Sequence, residues 1–188
     1  MVRITVFIDD LDKGSKASSA AMYLCHYLAA GHAQCDLIVA GQDLPRSRYL
    51  GAQDMDDKWD DLQRRWLAGD AWLIALGADS CTVGPLADFL HRTLISDDLR
   101  RRPFLLLANS RVHERAMRAD DLTARLIGAG GVGCAPPLVF CGCSNGVSPD
   151  GASSDGTSWE QLPEDAAQRL RGNADWLVAV TTALQGLQ

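Results

Sequence analysis

The stretch "VFIDDLDKGSKASSA" at 6–20 joins an apolar segment to a helical one through a loop rich in acidic residues and serine. The apolar run "VRITVFI" at 2–8 has the length and the β-branched residues of a buried strand. Apolar residues recur at helical spacing from about Ala17, and Gly31 ends this pattern. Because a buried strand that leads directly into a helix opens a βαβ unit, the stretch predicts an α/β fold.

The same alternation of strand and helix continues along the chain. Short apolar runs predict four more strands, at 35–40, 71–77, 103–108 and 132–142, the last with two prolines near its start. Apolar residues at helical spacing lie between or after these runs. The helical stripes consist of Met55, Trp59, Leu62 and Trp66; Leu86, Phe89, Leu90 and Leu94; Ala119, Leu122 and Leu126; and Leu170, Ala174, Leu177 and Leu184.

Five strands separated by helices favour one α/β domain over 1–188. Strands joined by helices pair in parallel, and the helices cover both faces of the sheet. Right-handed crossovers then predict a doubly wound, five-stranded parallel sheet in the flavodoxin-like order 2-1-3-4-5. The length of 188 residues suits one domain of this kind and is short for two.

The composition argues against several classes of function. Apolar residues make up 47% of the chain and charged residues 22%, which is typical of a globular protein. The net charge of −6 argues against binding to nucleic acid or to an anionic membrane surface. No apolar run approaches the roughly 20 residues that span a bilayer, and the sequence opens without a signal-peptide pattern. We therefore expect a cytoplasmic protein.

Six cysteines are scattered over the predicted helices, strands and loops. This scatter favours buried free thiols in a reducing compartment. Cys141 and Cys143 are closely spaced, but a C-x-C pair lacks the second pair of ligands that a structural zinc site needs. We therefore predict no metal site.

In a doubly wound sheet, ligands bind beyond the carboxyl ends of the strands, where the strand order reverses. The loops at 9–19, 77–85 and 109–116 should lie there. The first loop combines a glycine, several hydroxyls and two lysines with a helix start, a combination that binds phosphate. An ordinary helix cap with solvated lysines is an equally good interpretation. The residues concerned are Lys13, Gly14, Ser15, Lys16, Ser18 and Ser19.

Three carboxylates in the same loop, Asp9, Asp10 and Asp12, suggest an acidic site instead. A carboxylate beside a phosphate costs Coulomb energy unless it points away or pairs with a lysine. An acidic cluster after the first strand is typical of response-regulator receiver domains, which hold magnesium, and of haloacid-dehalogenase-type phosphatases. Both classes need a lysine later in the chain, and none follows Lys58.

Two motifs carry a resemblance to a known family. "DDLDKGSKASSAA" at 9–21 is similar to the G-S-x-R-x-G-S loop of the NAD(P)H-dependent FMN reductases, a branch of the flavodoxin-like proteins. "LGADSCTVGPLADFLHR" at 76–92 is similar to the motif that follows the third strand in that family. "RRPFLLLANS" at 101–110 and "DDLTARLIGAGGVGCAPPLVF" at 120–140 resemble the later strands and helix. The resemblance extends over essentially the whole chain.

The resemblance implies FMN as cofactor and NAD(P)H as co-substrate, with hydride passing through the flavin to a quinone, an azo compound or free flavin. It also implies a homodimer. Because the flavin carries the reaction, we name no catalytic side chain. The residues that would bind FMN are Gly14, Ser15, Lys16, Ser18 and Ser19 at the phosphate; Ala78, Asp79, Ser80, Cys81 and Thr82 against the ring; and Asn109, Ser110 and Arg111 near its edge.

A second hypothesis is a flavodoxin-like protein that has lost tight FMN binding and serves as an interaction module or binds another small ligand. Asp10 and Asp12 stand where the family has a serine and an arginine. Gly77 and Asp79 stand where it has a proline and a tyrosine. These positions lie on loops, so the fold would survive their replacement.

Overall fold

Strands and helices alternate along the computed structural model, which describes residues 1–8, 16–31, 33–43, 52–76, 101–110, 116–141 and 164–187. The strands are β1 (Arg3–Ile8), β2 (Gln34–Val39), β3 (Ala71–Leu76), β4 (Pro103–Ser110), β5 (Val132–Gly133) and β6 (Leu138–Cys141). The helices are α1 (Lys16–Ala30), α2 (Ala40–Asp43), α3 (Ala52–Ala68), α4 (Ala116–Gly128) and α5 (Glu164–Gln185). The helix predicted around Leu86–Leu94 lies outside the described residues.

All strand pairs in the sheet are parallel, and the order is β2-β1-β3-β4-β5, with β6 also paired to β4. The predicted order 2-1-3-4-5 is therefore confirmed. β1 lies between β2 and β3, so the chain moves to one side of β1 first and to the other side afterwards. This change of direction is the reversal of strand order at which doubly wound folds bind ligands.

The fifth strand is interrupted, which corrects the prediction of one continuous strand at 132–142. β5 pairs with β4 at Phe104↔Gly133, and β6 resumes the pairing at Leu107↔Leu138. From Gly133 to Leu138 the chain advances five residues, while its partner β4 advances three, from Phe104 to Leu107. The extra residues between β5 and β6 form a bulge. The two prolines fall inside this bulge, because proline has no N–H to donate to the ladder.

Two apolar layers cover the sheet, one on each face, as the sequence predicts. On the first face, α1 and α5 pack on alternate residues of β1, β3 and β4, including Val6, Leu73 and Leu107. On the second face, α3 and α4 pack on the residues in between, including Trp72 and Leu106. Alternate side chains of a strand point to opposite faces, so these strands are apolar throughout their length.

The predicted helical stripes that fall on described side chains face this core. The stripe of α3 buries Leu62 and Trp66, and Trp66 stacks on Trp72 with a ring-centroid distance of 4.6 Å. The stripe of α4 is buried at Ala119, Leu122 and Leu126. In α5, Leu170, Ala174 and Leu177 are buried, and Leu184 is half-buried.

The carboxyl end of α3 is bound to the sheet by donors from other segments. Thr5 Oγ1 on β1 donates to the carbonyls of Arg65 (3.3 Å) and Trp66 (3.5 Å), and Trp72 Nε1 donates to the Trp66 carbonyl (3.0 Å). The last carbonyls of a helix have no partner within the helix. These hydrogen bonds supply donors to two carbonyls that would otherwise be buried without a partner. Gly69 comes directly after α3 and lies close to Thr5. A Cβ at this position would lie 2.3 Å from Thr5 Oγ1, so the close approach requires glycine.

We predict that Gly69→Ala lowers the free energy of unfolding by about 1–3 kcal/mol, since the added methyl group displaces the Thr5 hydroxyl and its hydrogen bonds. Urea titration followed by circular dichroism measures the change. Gly172→Ala is the matched control: Gly172 lies in α5 with nothing within 4 Å of an added Cβ. Alanine there should raise the stability by about 0.5–1 kcal/mol. Equal stability of the two variants would contradict the close approach at Gly69.

Candidate functional site

The candidate site lies at the carboxyl edge of the sheet, where β1 ends beside β2 and β3. Ile8, the last residue of β1, pairs with Val39 of β2 and Ala75 of β3. α1 begins eight residues later, at Lys16. The start of the first helix therefore belongs to the connection that leaves the carboxyl edge at the reversal of strand order.

The first turn of α1 has the charge that favours an anion. Lys16 is exposed, Ser18 and Ser19 are half-buried, and the Oγ atom of Ser18 is buried. This turn contains no acidic residue. The amino end of a helix carries partial positive charge and directs backbone N–H groups outwards, so Lys16 adds to a field that already attracts negative charge.

Small side chains hold the start of α1 against the sheet and α5. Ala17, Ala20 and Ala21 are completely buried, with 0% of their surface exposed. An alanine adds only one methyl group to the space between two backbones, so a helix with this stripe packs closely. Leu24 and Leu28 continue the contact along the helix. The beginning of α1 is thus fixed by packing and not only by the loop that precedes it.

Polar contacts between α1 and α5 fix the helix further. Tyr27 donates its hydroxyl hydrogen to Asp175 at 2.9 Å, and this hydrogen bond raises the pKa of Tyr27. Arg171 donates to the hydroxyl oxygen of Tyr23 at 2.6 Å and also pairs with Glu164. Sequence reasoning missed both contacts, because partners 148 residues apart leave no local pattern.

The strands supply the opposite side of the candidate site. Asn109 and Ser110 are the last two residues of β4, and Ser110 pairs with Cys141 at the end of β6. Their backbones therefore lie at the same edge as the end of β1. The remaining predicted contacts lie outside the described residues: Gly14, Ser15, Ala78, Asp79, Ser80, Cys81, Thr82 and Arg111, together with Asp10, Asp12 and Gly77.

A second polar cluster lies on the α3 face. Arg65 donates to Asp36 on β2 (3.0 Å), to Asp43 on α2 (3.1 Å) and to the carbonyl of Leu37 (2.8 Å). The hydrogen bond to Asp36, followed by that to Asp43, raises the pKa of Arg65. The cluster borders an open groove of about 190 Å³ that includes Gly69. Because α3 runs opposite to the strands, this groove lies at the amino edge of the sheet, away from the candidate site.

Two features that the described residues lack bear on the class of site. No described helix has the length and apolar character needed to cross a membrane. Within the same part of the chain, no three histidine, cysteine or acidic side chains are grouped so that they could hold a metal ion. The prediction that Cys141 and Cys143 hold no metal remains untested, because Cys143 lies outside the described residues.

Solved structures with the same fold match nearly the whole chain. The flavoenzyme FerB, an NAD(P)H:acceptor oxidoreductase from Paracoccus denitrificans, matches 97% of this chain and 98% of its own, with a TM-score of 0.66 and 18% identity. The NADH:FMN oxidoreductase EMOB in its apo form matches 95% of this chain and 90% of its own, with a TM-score of 0.60 and 14% identity. RosB with bound 8-demethyl-8-formylriboflavin-5′-phosphate matches 99% of this chain and 81% of its own, with a TM-score of 0.73 and 11% identity.

Flavodoxins also match, with TM-scores of 0.57 and 0.53 for two of them. No family model and no curated protein matches the sequence. The chain therefore has a flavodoxin-like fold, which it shares with NAD(P)H-dependent flavin oxidoreductases.

We predict that Ala20→Leu lowers the free energy of unfolding by about 1–3 kcal/mol, because no space remains between α1 and the layer beneath it. Chemical denaturation monitored by tryptophan fluorescence measures the loss. The matched control is Ala179→Leu, since Ala179 is exposed on α5. The control should stay within about 0.5 kcal/mol of the natural chain. An unfolding free energy of Ala20→Leu equal to that of the natural chain would mean that small side chains do not fix the start of α1.

Proposed function

We propose that this protein is an FMN-dependent NAD(P)H oxidoreductase and that the FMN phosphate binds at the start of α1. The observation that carries the proposal is the placement of that helix start, with Lys16 and two serines, in the connection at the reversal of strand order. In doubly wound folds this is the position at which a nucleotide phosphate meets backbone N–H groups.

The described residues fit a phosphate in charge and in hydrogen-bonding capacity. A phosphate monoester near pH 7 carries between one and two negative charges and accepts several hydrogen bonds. Lys16 supplies a cation, Ser19 supplies a hydroxyl donor, and the first turn supplies N–H groups, including that of Ser18. The proposed contacts of Gly14 and Ser15 would complete this cradle from the preceding loop.

Bound FMN would supply hydride chemistry: it takes hydride from NAD(P)H and passes reducing equivalents to an acceptor. The chain would bind and orient the cofactor. Residues 78–82 would lie against the ring, and Asn109, Ser110 and Arg111 would lie near its edge. A quinone, an azo compound or free flavin is the proposed acceptor, and a cytoplasmic homodimer is the proposed form of the protein.

The similar solved structures support this proposal. FerB is a flavoenzyme that uses NAD(P)H, and EMOB is an NADH:FMN oxidoreductase. RosB holds a riboflavin 5′-phosphate derivative on the same fold. The competing proposal, a protein that has lost tight FMN binding, rests on the sequence departures at Asp10, Asp12, Gly77 and Asp79.

Titration of the purified chain with FMN separates the two proposals. We predict quenching of FMN fluorescence with a dissociation constant at micromolar level or below, and FMN-dependent oxidation of NADH or NADPH in the presence of a quinone. A colourless protein that leaves FMN fluorescence unchanged and oxidises neither nucleotide would refute the reductase and favour the interaction module.

We predict that Lys16→Glu weakens FMN binding about ten-fold, because it removes a cation near the phosphate and adds an anion there. Isothermal titration calorimetry at low salt measures the affinity. Lys58→Glu is the matched control, since Lys58 is exposed on α3 and its replacement changes the net charge by the same amount. The control should bind FMN like the natural chain. Equal weakening in both variants would show that overall charge, and not the start of α1, governs binding.

A further inference from the structure

Cys25 and Cys35 lie side by side although they belong to different elements. α1 ends at Ala30, and the chain turns sharply into β2, with the amide of Ala33 donating to the carbonyl of Leu28 at 3.0 Å. This turn places the last part of α1 beside the first residues of β2. The Sγ atom of Cys35 donates to the backbone carbonyl of Cys25 at 3.9 Å.

The two side chains also interact with each other. This interaction lowers the pKa of Cys35, and the same interaction together with burial raises the pKa of Cys25. A thiolate is the reactive form of cysteine, and either sulfur can reach the other once one of them has been oxidised.

Both residues are free and only partly buried, which corrects the expectation of buried thiols. A small oxidant can therefore approach them. Cys134, after β5, is also free and partly buried, and like that of Cys35 its Sγ donates to a backbone carbonyl, that of Val132 at 3.8 Å. Burial raises the pKa of Cys134 to about 11, so this thiol stays protonated near neutral pH. Cys134 is a natural reference for an unreactive thiol in the same chain.

We infer that Cys25 and Cys35 form a reversible dithiol–disulfide pair that hydrogen peroxide oxidises. The thiolate of one cysteine attacks one peroxide oxygen, the O–O bond breaks, and the departing hydroxide takes up a proton to become water. That cysteine is then a sulfenic acid. The thiol of the other cysteine next attacks its sulfur, an S–S bond forms, the S–O bond breaks, and a second water leaves. The two thiols lose two electrons, and the peroxide gains them.

The surroundings of Cys25 and Cys35 do not favour a metal site. Structural zinc needs four ligands, and no group of three metal-binding side chains occurs in the described part of the chain. The disulfide would join α1 to the edge strand β2, and it requires no bound flavin. Failure of this inference is therefore separate from failure of the proposed function.

Peptide mapping of the full chain tests the inference. Trypsin cuts after Lys16 and Arg46, so the peptide 17–46 contains Cys25 and Cys35 and none of the other four cysteines. After treatment of the folded protein with hydrogen peroxide and alkylation, this peptide should be lighter by two hydrogen atoms and carry no alkyl group. Dithiothreitol should restore the doubly alkylated peptide. A peptide that stays doubly alkylated, or a link from either cysteine to another peptide, would overturn the pair.

Single variants test whether each cysteine is the partner of the other. In Cys25→Ser and in Cys35→Ser, peroxide should leave a sulfenic acid at the remaining cysteine of the pair that dimedone traps, because no partner thiol is left to convert it into a disulfide. Cys134→Ser is the control and should form the Cys25–Cys35 disulfide at the natural rate. Absence of trapping in both of the first two variants would refute the sulfenic acid route, and a disulfide that forms as fast in concentrated urea would refute the role of the fold.

Discussion

The structure depends on the burial of its central strands from both sides at once. All six residues of β3 are buried, and β1 is buried from Ile4 to Ile8. Burial of both faces requires a layer of helices on each, so each successive strand is reached through a connection that crosses one face. Parallel strands result, and their carboxyl ends meet at one edge. The candidate site is a consequence of this arrangement, because the strand order reverses beside β1.

The position of α1 follows from the same constraint combined with side-chain size. Ala17, Ala20 and Ala21 allow the helix to pack closely, and larger residues further along the helix complete the layer with α5. The residues that fix the helix therefore differ from those proposed to bind the phosphate. Lys16 is exposed at the start of the helix, while buried alanines, together with the Tyr23 and Tyr27 contacts to α5, hold the helix.

Polar groups in and near the core illustrate how the opposite edge is stabilised. Thr5 and Trp72 satisfy the last carbonyls of α3, and Arg65 connects this helix to β2 and α2. Thr5 and Trp72 both donate to the carbonyl of Trp66, and each such hydrogen bond contributes about 0.5–1.5 kcal/mol. At the amino edge the polar groups of these elements are thus paired within the protein, whereas at the carboxyl edge strand ends and a positively polarised helix start coincide.

The sequence by itself determined the elements whose pattern is local: the apolar strands, the helical stripes and, through the rule for crossovers, the sheet order. It also located the serines and the lysine at the start of α1. Only the tertiary structure decided the rest. The interruption of the fifth strand depends on its register with β4, and the contact of Cys25 with Cys35 depends on how tightly the chain turns between α1 and β2. The partners Tyr27 and Asp175 meet because two helices pack side by side. Periodicity reports which face of an element is buried, whereas register and packing between elements decide which residues touch.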